Sequence, residues 1–323
     1  MSWAIPDTHR NGPALAPRKM THRRTVPHAL GAVTIIRSSQ TDMAMRRRDT
    51  VISAREWALA GGPDGSGRLA ARAWAPAGVE PTWMVVLVHG YGEHLGRYER
   101  VAEDLCAAGA VVYGADHRGH GRSSGERVLI DDYTGVVEDV HRVVTQARTA
   151  YRTLPLVMIG HSMGGLIATR YAQTHPDQVH ALVLSGPVLG RWSTLEELAA
   201  AEEIPDAPID TTTLSRDPEV GRAYVDDPLV WHGPFKRTTV RAMLTELERG
   251  NAAGSLGSLP LLWVHGHADA LVPIADTKTG IEAVAGEDLT ARIFPGARHE
   301  VFNETNRDEV LAEVTRFAHR FAV

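Results

Sequence analysis

One serine sits in a frame that can turn it into a nucleophile. The string Gly160-His161-Ser162-Met163-Gly164-Gly165 follows the apolar run 156–159 and precedes a helical pattern. A sharp strand-to-helix turn of this kind lifts a serine Oγ clear of the sheet edge. Glycines two positions before and two after leave room for the neighbouring strand and helix to approach. The helix N-terminus behind the serine adds a partial positive charge. Gly-x-Ser-x-Gly alone is a weak signal; strand before and helix after make it specific.

A serine hydroxyl needs a base to take its proton, and the base needs an orienting group. In the chain order serine, acid, histidine, two downstream positions fit. Asp269 lies in His265-Gly266-His267-Ala268-Asp269, just past the apolar run 261–264. His299 lies in Pro295-Gly296-Ala297-Arg298-His299, just past the run 291–294. Both follow strands at the edge where α/β sheets place their sites. His299 would deprotonate Ser162, and Asp269 would hold the imidazole tautomer and stabilise its charge. Asp276 falls inside the next helix and Glu300 adjoins the histidine, so both are poorly placed to orient it. The competing structural readings make Asp269 a turn cap and His299 an ordinary loop residue. An acyl-transfer intermediate also needs backbone donors. The Met163 N–H is one; the other is best supplied by Tyr91, in the loop His89-Gly90-Tyr91-Gly92. An ordinary turn is the alternative for that loop.

The elements that must position these residues form a repeating β–α pattern. Strands are expected at 56–60, 69–75, 84–88, 110–115, 156–159, 181–184, 261–264 and 291–294. Helices are expected at 98–108, 133–150, 164–174, 276–284 and 307–321. Continuous apolar strands suit a parallel sheet covered on both faces, and the alternation implies right-handed crossovers. Between Ser185-Gly186-Pro187 and Leu261 the rhythm breaks. Helical runs at 194–203 and 238–249, with a loop at 204–214 between them, predict a mainly helical cap inserted at about 187–256. The fold class is α/β, a mostly parallel central sheet flanked by helices, with the domain spanning 51–323.

The chain has 323 residues and a net charge of −5. Nucleic acid is not an expected partner, because such binders carry a basic face. Residues 1–50 are different. They hold nine Lys and Arg against three acids, a balance of +6 that leaves −11 for the remainder. They read as an unstructured basic extension. Met43 or Met45 could equally be the natural start. A basic tail on an acidic body is suited to peripheral contact with anionic lipid. No stretch approaches 18 consecutive apolar residues, so no membrane-spanning helix is expected. The segment 28–36 is too short and too late for a secretory leader. The expected location is cytoplasmic. Cys106 is the single cysteine, which excludes an intramolecular disulfide and reads as a small core residue.

The 16 histidines invite a metal reading. His117 and His120 flank Arg118-Gly119, and His265 and His267 are two apart, but neither pair has a third ligand at a recognised spacing. No metal is expected. No phosphate-binding loop or dinucleotide fingerprint is present, so no cofactor is expected either.

Several motifs taken together resemble a known family. His89-Gly90-Tyr91-Gly92-Glu93-His94 with Arg97-Tyr98, and Asp116-His117-Arg118-Gly119-His120-Gly121-Arg122-Ser123, resemble two loops of the monoacylglycerol lipases, α/β-hydrolases of the serine aminopeptidase S33 type. So do the serine motif, Ser215-Arg216-Asp217-Pro218-Glu219-Val220 with Tyr224 and Asp227-Pro228-Leu229-Val230, and His299-Glu300-Val301-Phe302-Asn303-Glu304. The resemblance runs from about residue 55 to the C-terminus. It implies a serine carboxylester hydrolase that cleaves a monoacylglycerol-like lipid ester through an acyl-enzyme on Ser162 and docks on membranes through an apolar cap. One departure stands out. The stretch 187–215 is shorter than the family's and acidic, with Trp192 and Leu195 as its main apolar candidates for a lipid-facing surface. A lysophospholipase, a short-chain esterase and a serine aminopeptidase share the same machinery. For the last, Glu202, Glu203 or Asp206 would hold a substrate amine. A non-catalytic binding protein on this fold would commonly have lost a member of the set.

Overall fold

The computed structural model describes residues 50–62, 65 and 67–323; the expected basic extension lies, but for residue 50, outside the described residues. Eight strands form one sheet in the order β1-β2-β4-β3-β5-β6-β7-β8. They are β1 (Ile52–Gly61), β2 (Gly67–Pro76), β3 (Trp83–Val88), β4 (Ala110–Ala115), β5 (Leu156–His161), β6 (Ala181–Ser185), β7 (Leu261–Gly266) and β8 (Leu289–Phe294). The β1–β2 and β2–β4 pairs are antiparallel, and every other pair is parallel. All eight expected strands are present. The largest shift is in β1, which starts at Ile52 rather than near residue 56. Its residues are mostly exposed, alternating only toward the end, so its first half carries no hydrophobic pattern to read.

The central strands are buried on both faces, which is why they read as continuous apolar runs. One face packs on α1 (Glu99–Ala107) and α8 (Arg307–Ala318) through Leu105, Val310 and Val314. The other packs on α2 (Tyr133–Ala150), α3 (Met163–Thr174) and α7 (Ile274–Val284). Cys106 is buried; burial pushes its thiol up to about 12.

The segment between β6 and β7 holds α4 (Ser193–Ala200), α5 (Pro218–Asp226) and α6 (Arg237–Ala253). α4 ends three residues earlier than expected. α5 was not expected at all, although Asp217-Pro218 carries its start signal. The Asp217 side chain accepts from the Glu219 N–H at 3.0 Å, and Pro218 occupies the first turn, where its missing N–H costs nothing. α6 packs directly on α3, where Arg170 pairs with Glu246 at 2.7 Å. Trp192 and Leu195 are not lipid-facing: they are 3% and 0% exposed, since the apolar side of α4 joins the core.

Two glycines decide the turn that carries Ser162. A Cβ at Gly160 would stand 2.4 Å from Gly164 O, and one at Gly164 would stand 2.1 Å from Val88 O. Helix propensity alone favours alanine over glycine by about 1 kcal/mol. The clash outweighs it, because overpacking costs about 1–3 kcal/mol and occasionally more. Gly164→Ala should therefore lower Tm, by roughly 4–8 °C for a net loss of about 2 kcal/mol. Calorimetry checks this, and an unchanged or raised Tm would contradict the close approach.

Candidate active site

Ser162 stands between β5 and α3 with φ 53° and ψ −121°. This left-handed conformation is unusual for a residue with a side chain. Three hydrogen bonds hold it. The Ser162 N–H donates to Ser185 O at 3.0 Å, and the Ser162 carbonyl accepts from Gly165 N at 2.9 Å and Val188 N at 3.0 Å.

Asp269 and His299 meet beside it. Asp269 follows β7, His299 follows β8, and Asp269 Oδ2 lies 2.8 Å from His299 Nδ1. Asp269 Oδ1 accepts from Leu271 N at 3.0 Å and Val272 N at 2.9 Å. Burial opposes the charge on Asp269, but His299 and the hydrogen bonds from His265 and His299 hold its carboxyl well below the usual range. Burial also opposes a charge on His299, and Asp269 overcomes it to raise the imidazole above its ordinary value. The carboxylate accepts, so Nδ1 carries the proton and Nε2 is left as a base. Ser162 and His299 line one cleft. No hydrogen bond joins Ser162 Oγ to the ring among the described residues. The competing acids are engaged elsewhere. Asp276 accepts from Ser193 N and Oγ, and Glu300 pairs with Arg97.

The loop after β3 approaches the serine from the other side. A Cβ on Gly90 would lie 3.2 Å from the Ser162 Cβ. Neither the Tyr91 nor the Met163 N–H finds an acceptor among the described residues. Two buried histidines brace this loop. His89 Nε2 accepts from His117 N at 2.9 Å, so its Nδ1–H faces Gly90 O at 2.9 Å. His117 Nε2 donates to His89 O at 3.1 Å. Burial, and then the His120 beside it, depress His117 to about 3, and burial takes His120 to about 4. The pair considered above for a metal thus serves as neutral packing. Among the described residues no group of three or more His, Cys, Asp and Glu is arranged to hold a metal ion.

A buried ion cluster forms one wall. Arg97 donates to Glu93 Oε2 at 2.6 Å and, through both terminal nitrogens, to Glu300 at 2.7 and 2.8 Å. Glu93 Oε1 accepts from Gly90 N at 2.7 Å and Tyr98 OH at 2.6 Å. Burial opposes the Glu300 charge, yet Arg97 holds the carboxyl down at about 2. Trp192, Ile209, Leu214, Phe235 and Leu271 also line the cleft. Tyr91 stacks on Phe235 with ring centroids 4.3 Å apart. The sequence motifs contained Glu93, Arg97 and Glu300 without showing that they touch, and nothing local marked Phe235. Glu202, Glu203 and Asp206 are exposed and do not line the cleft.

The chain matches the serine aminopeptidase S33 family over residues 79–306. It is 40% identical over 260 residues to the monoacylglycerol lipase of Mycolicibacterium smegmatis, covering 78% of this chain and 92% of that one. It is 32% identical over 265 residues to the monoglyceride lipase of Rattus norvegicus, covering 78% and 87%. The crystal structure of Paleococcus ferrophilus monoacylglycerol lipase superposes with a TM-score of 0.67 at 27% identity, over 79% of this chain and 99% of that one. The sheet order, the serine turn and these likenesses lead to one assignment: this chain is an α/β-hydrolase of the serine aminopeptidase S33 family, a serine hydrolase of its monoacylglycerol lipase-like kind.

Proposed function

We propose that the enzyme hydrolyses a monoacylglycerol, or a closely similar lipid monoester, through an acyl-enzyme on Ser162. The observation that carries this is His299, held by the buried Asp269, lining one cleft with Ser162. His299 Nε2 takes the Ser162 hydroxyl proton as Oγ bonds to the ester carbonyl carbon. The Tyr91 and Met163 amides, without other acceptors, receive the developing oxyanion. The tetrahedral intermediate then breaks its bond to the alcohol oxygen, and His299 returns the proton to that leaving group. Water, deprotonated by the same imidazole, attacks the acyl-enzyme and releases the fatty acid. Asp269 stays ionised throughout and fixes the ring.

Two features support a lipid ester over a peptide. The cleft has an apolar wall for an acyl chain and a polar wall for an alcohol headgroup. The acids that would hold a peptide amine, Glu202, Glu203 and Asp206, face solvent. The relatives named as monoacylglycerol and monoglyceride lipases point the same way. The insert between β6 and β7 acts as a cap, since it supplies Trp192, Ile209, Leu214 and Phe235 to the cleft that Ser162 lines. We place the enzyme in the cytoplasm with peripheral membrane contact through its basic N-terminal residues. No helix among the described residues is long and apolar enough to cross a membrane.

A fluorophosphonate probe should label the wild type and leave Ser162→Ala unlabelled; equal labelling would remove Ser162 from the reaction. His299→Ala should lower kcat by roughly 10⁴-fold or more, and activity within a few fold of wild type would exclude it as the base. The pH profile follows from the raised His299. Only the neutral ring accepts a proton, so kcat/KM should fall on acidification, with a midpoint above the ordinary histidine value of 6.5. A midpoint below that value would contradict the pairing with Asp269. Assayed side by side, a monoacylglycerol should be cleaved faster than an aminoacyl amide, and the reverse order would overturn the substrate class.

A further inference from the structure

His265, at the end of β7, is absorbed by neither the fold nor the mechanism above. It is fully buried, and its two ring nitrogens are assigned by their partners. The indole Nε1–H of Trp263 points at His265 Nδ1 from 3.0 Å. Indole nitrogen donates only, so Nδ1 accepts and the proton sits on Nε2. That Nε2–H donates to Val272 O at 2.9 Å, and Asp269 Oδ2 lies within ion-pair distance of the same nitrogen at 3.2 Å. This carboxylate oxygen is the same one that receives His299 Nδ1.

We infer that His265 is a positioning residue for the triad, with Trp263 fixing its tautomer so that its Nε2–H shares Asp269 Oδ2 with His299. The inference rests on the proposed roles of Ser162, Asp269 and His299. A carboxylate can rotate about its Cβ–Cγ bond. Asp269 Oδ1 is pinned by two backbone amides, and the His265 donor pins Oδ2 out of reach of those amides. Without that donor the carboxylate keeps its contact with His299 but loses its fixed angle to the ring. A second donor on Oδ2 also spreads its negative charge and tempers its hold on the His299 proton. The neutral Trp263–His265 pair thus sets both where the acid points and how strongly it binds the base.

The test is His265→Leu beside His265→Gln, whose amide can donate to Asp269 and accept from Trp263. Active sites are counted by fluorophosphonate titration, so kcat is per competent serine. His265→Leu should lose about 10- to 100-fold in kcat, the scale of a misplaced catalytic group, with KM within twofold. Its acid limb in kcat/KM should move to higher pH, because the carboxylate stripped of one donor binds the His299 proton more tightly. The other titratable neighbours of His299, namely Glu93, Glu300 and His161, are unchanged by the substitution. His265→Gln should recover most of the loss and return the limb toward wild type. A kcat within about threefold of wild type, or a lower kcat with an unmoved limb and no rescue by glutamine, overturns the inference. If His265→Leu does not fold, Trp263→Phe replaces it. That variant keeps the imidazole and removes the donor that fixes its tautomer. It should show the same upward shift with a smaller loss, and a wild-type profile would overturn the inference. His299→Ala, run in parallel, separates the two failures. Its retention of activity would remove the triad itself, whereas silent His265 variants beside an inactive His299→Ala would remove only the role of His265.

Discussion

Everything in this enzyme depends on one backbone turn. Ser162 occupies a left-handed conformation, at φ 53°, that a side-chain-bearing residue adopts only when its surroundings impose it. Such a residue costs of order 1–3 kcal/mol. The surroundings here are two buried strands and a helix brought within contact of one another, with Gly164 pressed against the Val88 carbonyl. The strands that hold the turn, β3, β5 and β6, are buried along their whole lengths. Stability is therefore concentrated beneath the serine. The turn is also shared: the Ser162 carbonyl accepts from Val188, at the start of the insert, and its amide donates to β6.

The second constraint is charge in a dry place. An unpaired buried charge is strongly destabilising, so each one here is tied to a partner, and the ties run between loops. Arg97 follows the loop after β3, and Glu300 follows His299; their pairing joins the Gly90–Tyr91 side of the cleft to the His299 side. The insert closes the ring. His299 N and Glu300 N donate to Thr213 O and Leu214 O, and Trp231 N donates to Gly92 O. His94 meets Asp227 at 2.8 Å. The stretch from Thr213 to Trp231 is thus part of the frame that holds the His299 loop and the loop after β3.

Ser162, Asp269 and His299 were legible in the sequence because each follows a short apolar run at a strand end, and strand ends in a parallel sheet lie on one edge. The elements were legible for the same reason: burial on both faces writes a continuous apolar signal. Residues whose meaning depends on a distant partner were not. Arg97 and Glu300 are separated by 203 positions, and no local pattern joins them. His265 looked like half of a metal pair with His267, since spacing shows neither the indole on one side of the ring nor the carboxylate on the other. Trp192 and Leu195 looked like a surface for lipid in an acidic stretch, because the period of so short a helix does not reveal which side is covered. α5 could have been found, as Asp217-Pro218 is a start signal and Val220 and Tyr224, four residues apart, mark one face.

The polar wall bears on substrate choice through the state of its carboxylates. A group that holds a substrate ammonium must offer oxygen lone pairs not already taken. Glu93 accepts from Gly90, Tyr98 and Arg97, and Glu300 accepts from Arg97 twice and from Asn303. Each carboxylate thus keeps only one of its roughly four acceptor sites, and Arg97 screens the negative charge that an ammonium would seek. A neutral hydroxyl asks for less, since it can share a carboxylate oxygen at the margin of the cluster without displacing Arg97.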